Sequence, residues 1–144
     1  MKLRLTTMFA ALAVLAVTLL FHASIASAGG SAPVHITFHK CVDTNTGTWE
    51  GEVGGDFGPG HVSYVDLPPF FGKKVQHFSG EYTVTTGEGT FKAEVSGQWN
   101  SRTGQIVLNG VVTEGPQAGG QFHVHAEWDG GACSRGEMTI TSTH

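Results

Sequence analysis

The chain has few basic residues: eight lysines and arginines against twelve acids over 144 residues. Two of the eight, Lys2 and Arg4, lie at the extreme N-terminus. Without them the balance is about −6, and no basic stripe remains. This excludes nucleic acid and anionic membrane surfaces as natural partners. Cysteine is scarce too, with only Cys41 and Cys133. No Asn-x-Ser/Thr acceptor for glycosylation occurs, no nucleophile elbow marks a Ser-His-Asp enzyme, and no apolar run after residue 28 is long enough to span a bilayer as a helix. Apolar positions at a 3.6-residue period are also missing, which excludes a helical domain.

The one long apolar run is N-terminal. Met8 to Phe21 is apolar apart from Thr18, behind Lys2 and Arg4, and Ala26-Ser27-Ala28 supplies a small-residue cleavage pattern. These features predict a secretory signal peptide over 1–28, cleaved near Ala28, and a single domain over 29–144. The apolar segment is too short for stable membrane insertion. The expected location is extracellular or periplasmic, where an even pair of cysteines reads as a Cys41–Cys133 disulfide.

What the chain has in abundance is glycine. All 21 glycines follow residue 28, in the company of many threonines and valines. Such a composition indicates short strands and tight turns. The clearest passage is Tyr82–Thr113. Phe91, Ala93, Val95, Gly97 and Trp99 alternate there with Lys92, Glu94, Ser96 and Gln98, and Asn100–Gly104 reverses the chain. The same reading yields eight strands: Val34–Cys41, Thr48–Asp56, His61–Leu67, Lys74–Thr85, Thr90–Trp99, Gln105–Thr113, Gln121–Trp128 and Glu137–Ser142. Alternation is poor in the third, and Pro68–Lys73 reads as a loop. Every link is too short for a parallel crossover, so the expectation is an all-β, eight-stranded antiparallel up-and-down barrel. Cys41 ends the first strand and Cys133 precedes the eighth. Only closure would bring the two within disulfide reach.

Motifs within this pattern resemble a known superfamily. Val84–Gly97 is similar to the Gly-x-Gly-x-Phe…Gly hairpin of plant allene oxide cyclases and dirigent proteins. Phe91–Gly110, with its Asn-x-x-Thr-Gly turn and a strand ending in Asn-Gly, resembles the small secreted bacterial barrels of the same superfamily. The resemblance implies an up-and-down barrel with an apolar cavity, often trimeric. No catalytic residue of the cyclases or dirigent proteins maps onto a position here. Gly47-Thr48-Trp49 also matches the Gly-x-Trp opening of lipocalins, but it lies on the second strand here rather than the first.

Candidate sites follow from the meander. Odd strands end where even strands begin, so Trp49, Trp99 and Trp128 share one rim, each at an inward position. Phe38, Phe78, Tyr64 and the Pro68–Lys73 loop with Phe70 and Phe71 belong to the same end. Inward Gly51, Gly80, Gly97 and Gly110 are expected to leave space below, suiting a flat apolar ligand. Smaller residues are expected to line the opposite end, Phe91 and Phe122 excepted. His123, His125 and Glu127 have the residue types of a zinc or copper site, but alternate side chains on one strand spread too widely for shared coordination, so exposed histidines are expected. No cofactor is implied. The sixth strand is apolar on both faces, Ile106, Leu108 and Val112 on one and Val107 and Val111 on the other. That places a homo-oligomer contact, a trimer by the resemblance, along residues 104–113. Three function classes stay open: a barrel binding a small apolar or aromatic ligand, an interaction barrel with a filled core, and a cyclase- or coupling-type enzyme. An inward carboxylate, Asn or Tyr beside an open cavity favours the enzyme. A core without a void favours the filled barrel.

Overall fold

The computed structural model describes residues 31–71 and 74–143, without the side chains of residues 68–71. The expected signal peptide and the expected roles of Phe70 and Phe71 therefore lie outside what is described. Eight strands follow one another: β1 (Val34–Val42), β2 (Trp49–Gly55), β3 (Gly60–Phe71), β4 (Val75–Thr86), β5 (Gly89–Asn100), β6 (Gln105–Glu114), β7 (Gln121–Trp128) and β8 (Cys133–Thr141). Each pairs antiparallel with its sequence neighbours, and β1 pairs with β8 from Val34↔Ile140 to Cys41↔Cys133, closing the barrel. The two cysteines face each other across that last seam and are bonded. A closed meander leaves no free sheet edge.

Inward positions alternate with outward ones along each strand, as the period of two requires. Ile36, Val62, Val84, Phe91, Val124 and Met138 are among the buried residues of one continuous core. The end away from the tryptophans is packed shut. Phe91 sits edge-on to Phe122 at 6.1 Å between ring centres, and Phe57, from the link between β2 and β3, caps Phe91 at 6.2 Å. The small residues expected at that end, Val53, Val62, Val84 and Val112, are buried there, and Phe57 adds a ring that strand parity did not assign, because it folds in from a turn.

Two strand limits differ from the sequence reading by more than one residue. β3 continues through Pro68 and Pro69 to Phe71, with its register against β4 shifted between Leu67 and Phe71. Proline has no amide proton for the ladder, and it is accommodated where the pairing is irregular. β8 begins at Cys133 rather than Glu137, since the polar Ser134 and Arg135 extend the ladder without showing any alternation of hydropathy.

Candidate ligand cavity

Among the described residues, the tryptophan end is open. A cavity of about 270 Å³ enters the barrel there, walled by Trp49, Tyr64, Phe78, Trp99, Trp128 and Ile106, with Lys40, Asp66, Gln76, Tyr82 and Ser134 adding polar groups. The three tryptophans meet at one rim for the reason expected, since β5 and β7 end where β2 begins. Trp99 and Trp128 pack edge to face at 4.9 Å. Trp128 is fixed twice: its indole N–H donates to the Gly131 carbonyl at 2.9 Å, and its backbone N–H donates to the Gly104 carbonyl at 2.8 Å. Gly104 adopts φ +77°, a left-handed conformation that suits glycine, and this lets the β5–β6 turn approach Trp128 so closely. Trp49 directs its N–H toward the Asp66 carboxylate at 3.4 Å.

Of the residues expected at this mouth, Trp49, Trp99, Trp128, Phe78 and Tyr64 line the cavity. Phe38 does not. It is buried one layer deeper, edge-on to Tyr82 at 6.4 Å. The inward glycines do not leave space in the way expected. A methyl on Gly80 would run into the Tyr64 ring, and one on Gly51, Gly97 or Gly110 would strike a backbone carbonyl of the neighbouring strand. Gly80 is the seat of the Tyr64 ring, and the other three permit close strand approach as the sheet coils. The cavity arises from where the aromatic rings stop.

The residue that the sequence reading missed is Lys40. It shares the inward parity of Ile36 and Phe38, and that parity was the available signal. At 5% exposure it is buried to the tip. Its Nζ lies 2.8 Å from Tyr82 Oη and sits over the rings of Tyr64 and Tyr82, at 3.9 and 4.4 Å from their centres. Trp49 and Phe38 complete the enclosure at 5.5 and 5.6 Å. Rings attract a cation through their faces, but they replace water only in part. Burial accordingly lowers the Lys40 pKa to about 7, and the Asp66 charge offsets this in part. Among the described residues no carboxylate comes within ion-pairing distance of Nζ. Burial first, then Asp66, pushes the phenols of Tyr64 and Tyr82 upward, so both stay protonated.

Among the described residues, three further polar atoms are buried without a hydrogen-bond partner: Tyr64 Oη, Trp99 Nε1 and Ser134 Oγ. All three residues line this cavity. Asp66 raises the Tyr64 phenol through its charge and through a long side-chain interaction, although no close hydrogen bond joins the two. Asp66 and Ser134 also escaped the sequence reading. On β3 the alternation inverts near the mouth: Asp66 faces inward, while Val65 and Leu67 are 45% and 46% exposed.

The other candidates fall elsewhere. His123, His125 and Glu127 are exposed on the outer face of β7, where His123 pairs with Asn109 at 2.7 Å. Among the described residues, the three donors that do come together are His39, Cys41 and Cys133, but the disulfide occupies both sulfurs. On β6, Val107 is half-buried and Val111 is 37% exposed, so the described chain covers the outer face of Val111 only in part. Comparison with protein-family models, with curated proteins and with solved structures finds no match to this chain.

Proposed function

We propose that this barrel binds a small, flat, largely apolar ligand through its tryptophan-lined mouth. The observation that carries the reading is the cavity of about 270 Å³, open at one aromatic end and sealed at the other by Phe57, Phe91 and Phe122. A void of that size exceeds the packing defects of a filled core, which weighs against a purely structural barrel. An apolar cavity of about 150 Å³ accommodates benzene, so this one suits one or two fused rings. The motif resemblance to the allene oxide cyclase and dirigent superfamily, whose barrels enclose apolar cavities, supports the same reading. So does the expected export, since a disulfide fits an oxidising compartment. Titration with naphthalene-class probes while following tryptophan emission tests it, with Trp99→Phe and Trp128→Phe in parallel. A saturable change in emission is expected. Unchanged emission with every probe sinks the proposal.

A second reading rests on a different observation. Asp66, Tyr64, Tyr82 and Lys40 stand beside the open cavity, and Lys40 exchanges its proton near neutral pH. Such a set suits an isomerase or cyclase that moves a proton on a sequestered substrate. Protein-dependent exchange of ligand C–H for deuterium in D2O, abolished by Lys40→Met, supports this class. Binding without exchange leaves the barrel a carrier.

A further inference from the structure

The charges of the cavity are unbalanced: Lys40 is its one cation among the described residues, and none of their carboxylates comes within ion-pairing distance of it. Lys40 from β1 and Trp99 from β5 bring hydrogen-bond donors. Tyr64 from β3 and Ser134 from β8 bring hydroxyls with no hydrogen-bond partner among the described residues. A lysine ammonium has three donors and no acceptor, and an indole has one donor and no acceptor. Of the Lys40 donors, one is directed at Tyr82 Oη. Among the described residues, the one carboxylate lining the cavity, Asp66, accepts from Trp49 at the rim. Four strands therefore direct donors into one apolar chamber, where hydroxyls and the Gln76 amide, which accept as well as donate, stand beside one cation, Lys40. A hydrocarbon ligand would leave those donors buried and unpaired, at a cost for each.

We propose that the ligand carries an acidic oxygen group, a carboxylate or an equally acidic oxygen, and that Lys40 is its receptor at the bottom of the cavity. This deepens the binding reading and rests on it. A carboxylate offers about four acceptor sites in one plane, enough for Lys40 and for neighbouring donors such as Tyr64 and Ser134. The aromatic walls would hold the flat body while the anion meets the cation inside. The ligand then supplies the counter-ion that the protein withholds, because a buried charge needs a partner. Asp66 is the carboxylate that acts on Lys40, and Tyr64 and Tyr82 face it as neutral phenols. Burial lowers the Lys40 pKa in the empty chamber, and an incoming anion reverses that shift. Binding of an acid is therefore coupled to proton uptake wherever Lys40 is partly neutral beforehand.

The test uses the disulfide-bonded protein from Gly29 onward and two probes of one shape, 2-naphthoate and 2-naphthamide. Calorimetry at pH 8 in phosphate and in Tris measures affinity and the protons exchanged. Naphthoate is expected to bind about 10- to 100-fold more tightly, the span of one charge-assisted hydrogen bond. It should take up a fraction of a proton, while naphthamide takes up none. The naphthoate affinity should fall as pH rises from 7 to 9.5, which needs no variant to observe. In Lys40→Met the preference should disappear while naphthamide binding persists. If wild-type protein binds the amide as tightly as the acid, or if Lys40→Met keeps the preference, the acid receptor is refuted while the binding mouth stands. If neither probe binds and no apolar probe alters the emission, the mouth itself is refuted, and the receptor with it.

Discussion

Raising the pH from 7 to 9.5 should stabilise the folded protein through Lys40 alone. Folded Lys40 titrates at about 7 against an ordinary value of 10.5, so within that window the unfolded chain holds a proton that the folded chain has shed. Stability then rises with pH, because the unfolded state binds more protons. Below pH 7 both states are protonated, and the full cost of burying the charge applies. Integrating between the two pKa values gives a gain of about 3 kcal/mol from pH 7 to pH 9.5, part of a total on the order of 5 kcal/mol. Above pH 10 the sign reverses, since unfolded tyrosines ionise while burial keeps Tyr64 and Tyr82 protonated in the fold. Urea unfolding followed by tryptophan emission, with the disulfide intact, measures the curve directly. Lys40→Met should flatten it, whatever it does to absolute stability by leaving Tyr82 Oη without its partner. A wild-type curve no steeper than that of Lys40→Met across the window would refute the lone buried lysine as described.

Replacing Cys41 and Cys133 together with alanine should cost on the order of 4–5 kcal/mol in the loop-closure model, given the 92-residue separation; denaturant midpoints of the oxidised protein and the double variant check this. Gly80→Ala should drive the Tyr64 ring out of its seat, lowering stability by about 1–3 kcal/mol and weakening the binding of apolar probes. Gly87→Ala, where the added methyl meets nothing within 4 Å, should stay within about 0.5 kcal/mol and serves as the control. For the proposed β6 contact, sedimentation at micromolar concentration should give a trimeric mass that Val111→Lys reduces to a monomer; a monomeric wild type removes the contact.

How far the sequence could be read depended on whether a residue's neighbours in the strand agreed with it. Phe91, Val95 and Trp99 alternate cleanly with polar residues, so the direction of β5 was plain from the chain alone. The rim was equally legible, because Trp49, Trp99 and Trp128 stand at matching ends of their strands. β3 was obscure for a physical reason. Near the mouth it turns an aspartate inward and exposes Val65 and Leu67, inverting the usual pattern where the core gives way to a chamber. The start of β8 was obscure because Ser134 is both polar and buried. Gly80 was read as empty space, whereas it accommodates a ring from the adjacent strand.

What the sequence determined by itself was the class of the fold and its closure. A period of two in most of the eight strands, links too short for crossovers and a cysteine at each end of the meander leave the antiparallel barrel as the arrangement that pairs every strand. What only the tertiary structure decided was the content of the barrel. Parity says that Lys40, Tyr82 and Trp99 point inward, but not how far each reaches or which groups it meets, and it was silent on Asp66 and Ser134. Lys40 and Tyr82 are 42 residues apart along the chain and 2.8 Å apart across the barrel. The charge state of that lysine depends on the rings and the distant carboxylate brought around it. Local sequence carries strand direction because neighbouring side chains must alternate, while burial and electrostatic pairing are sums over strands that meet only when the barrel closes.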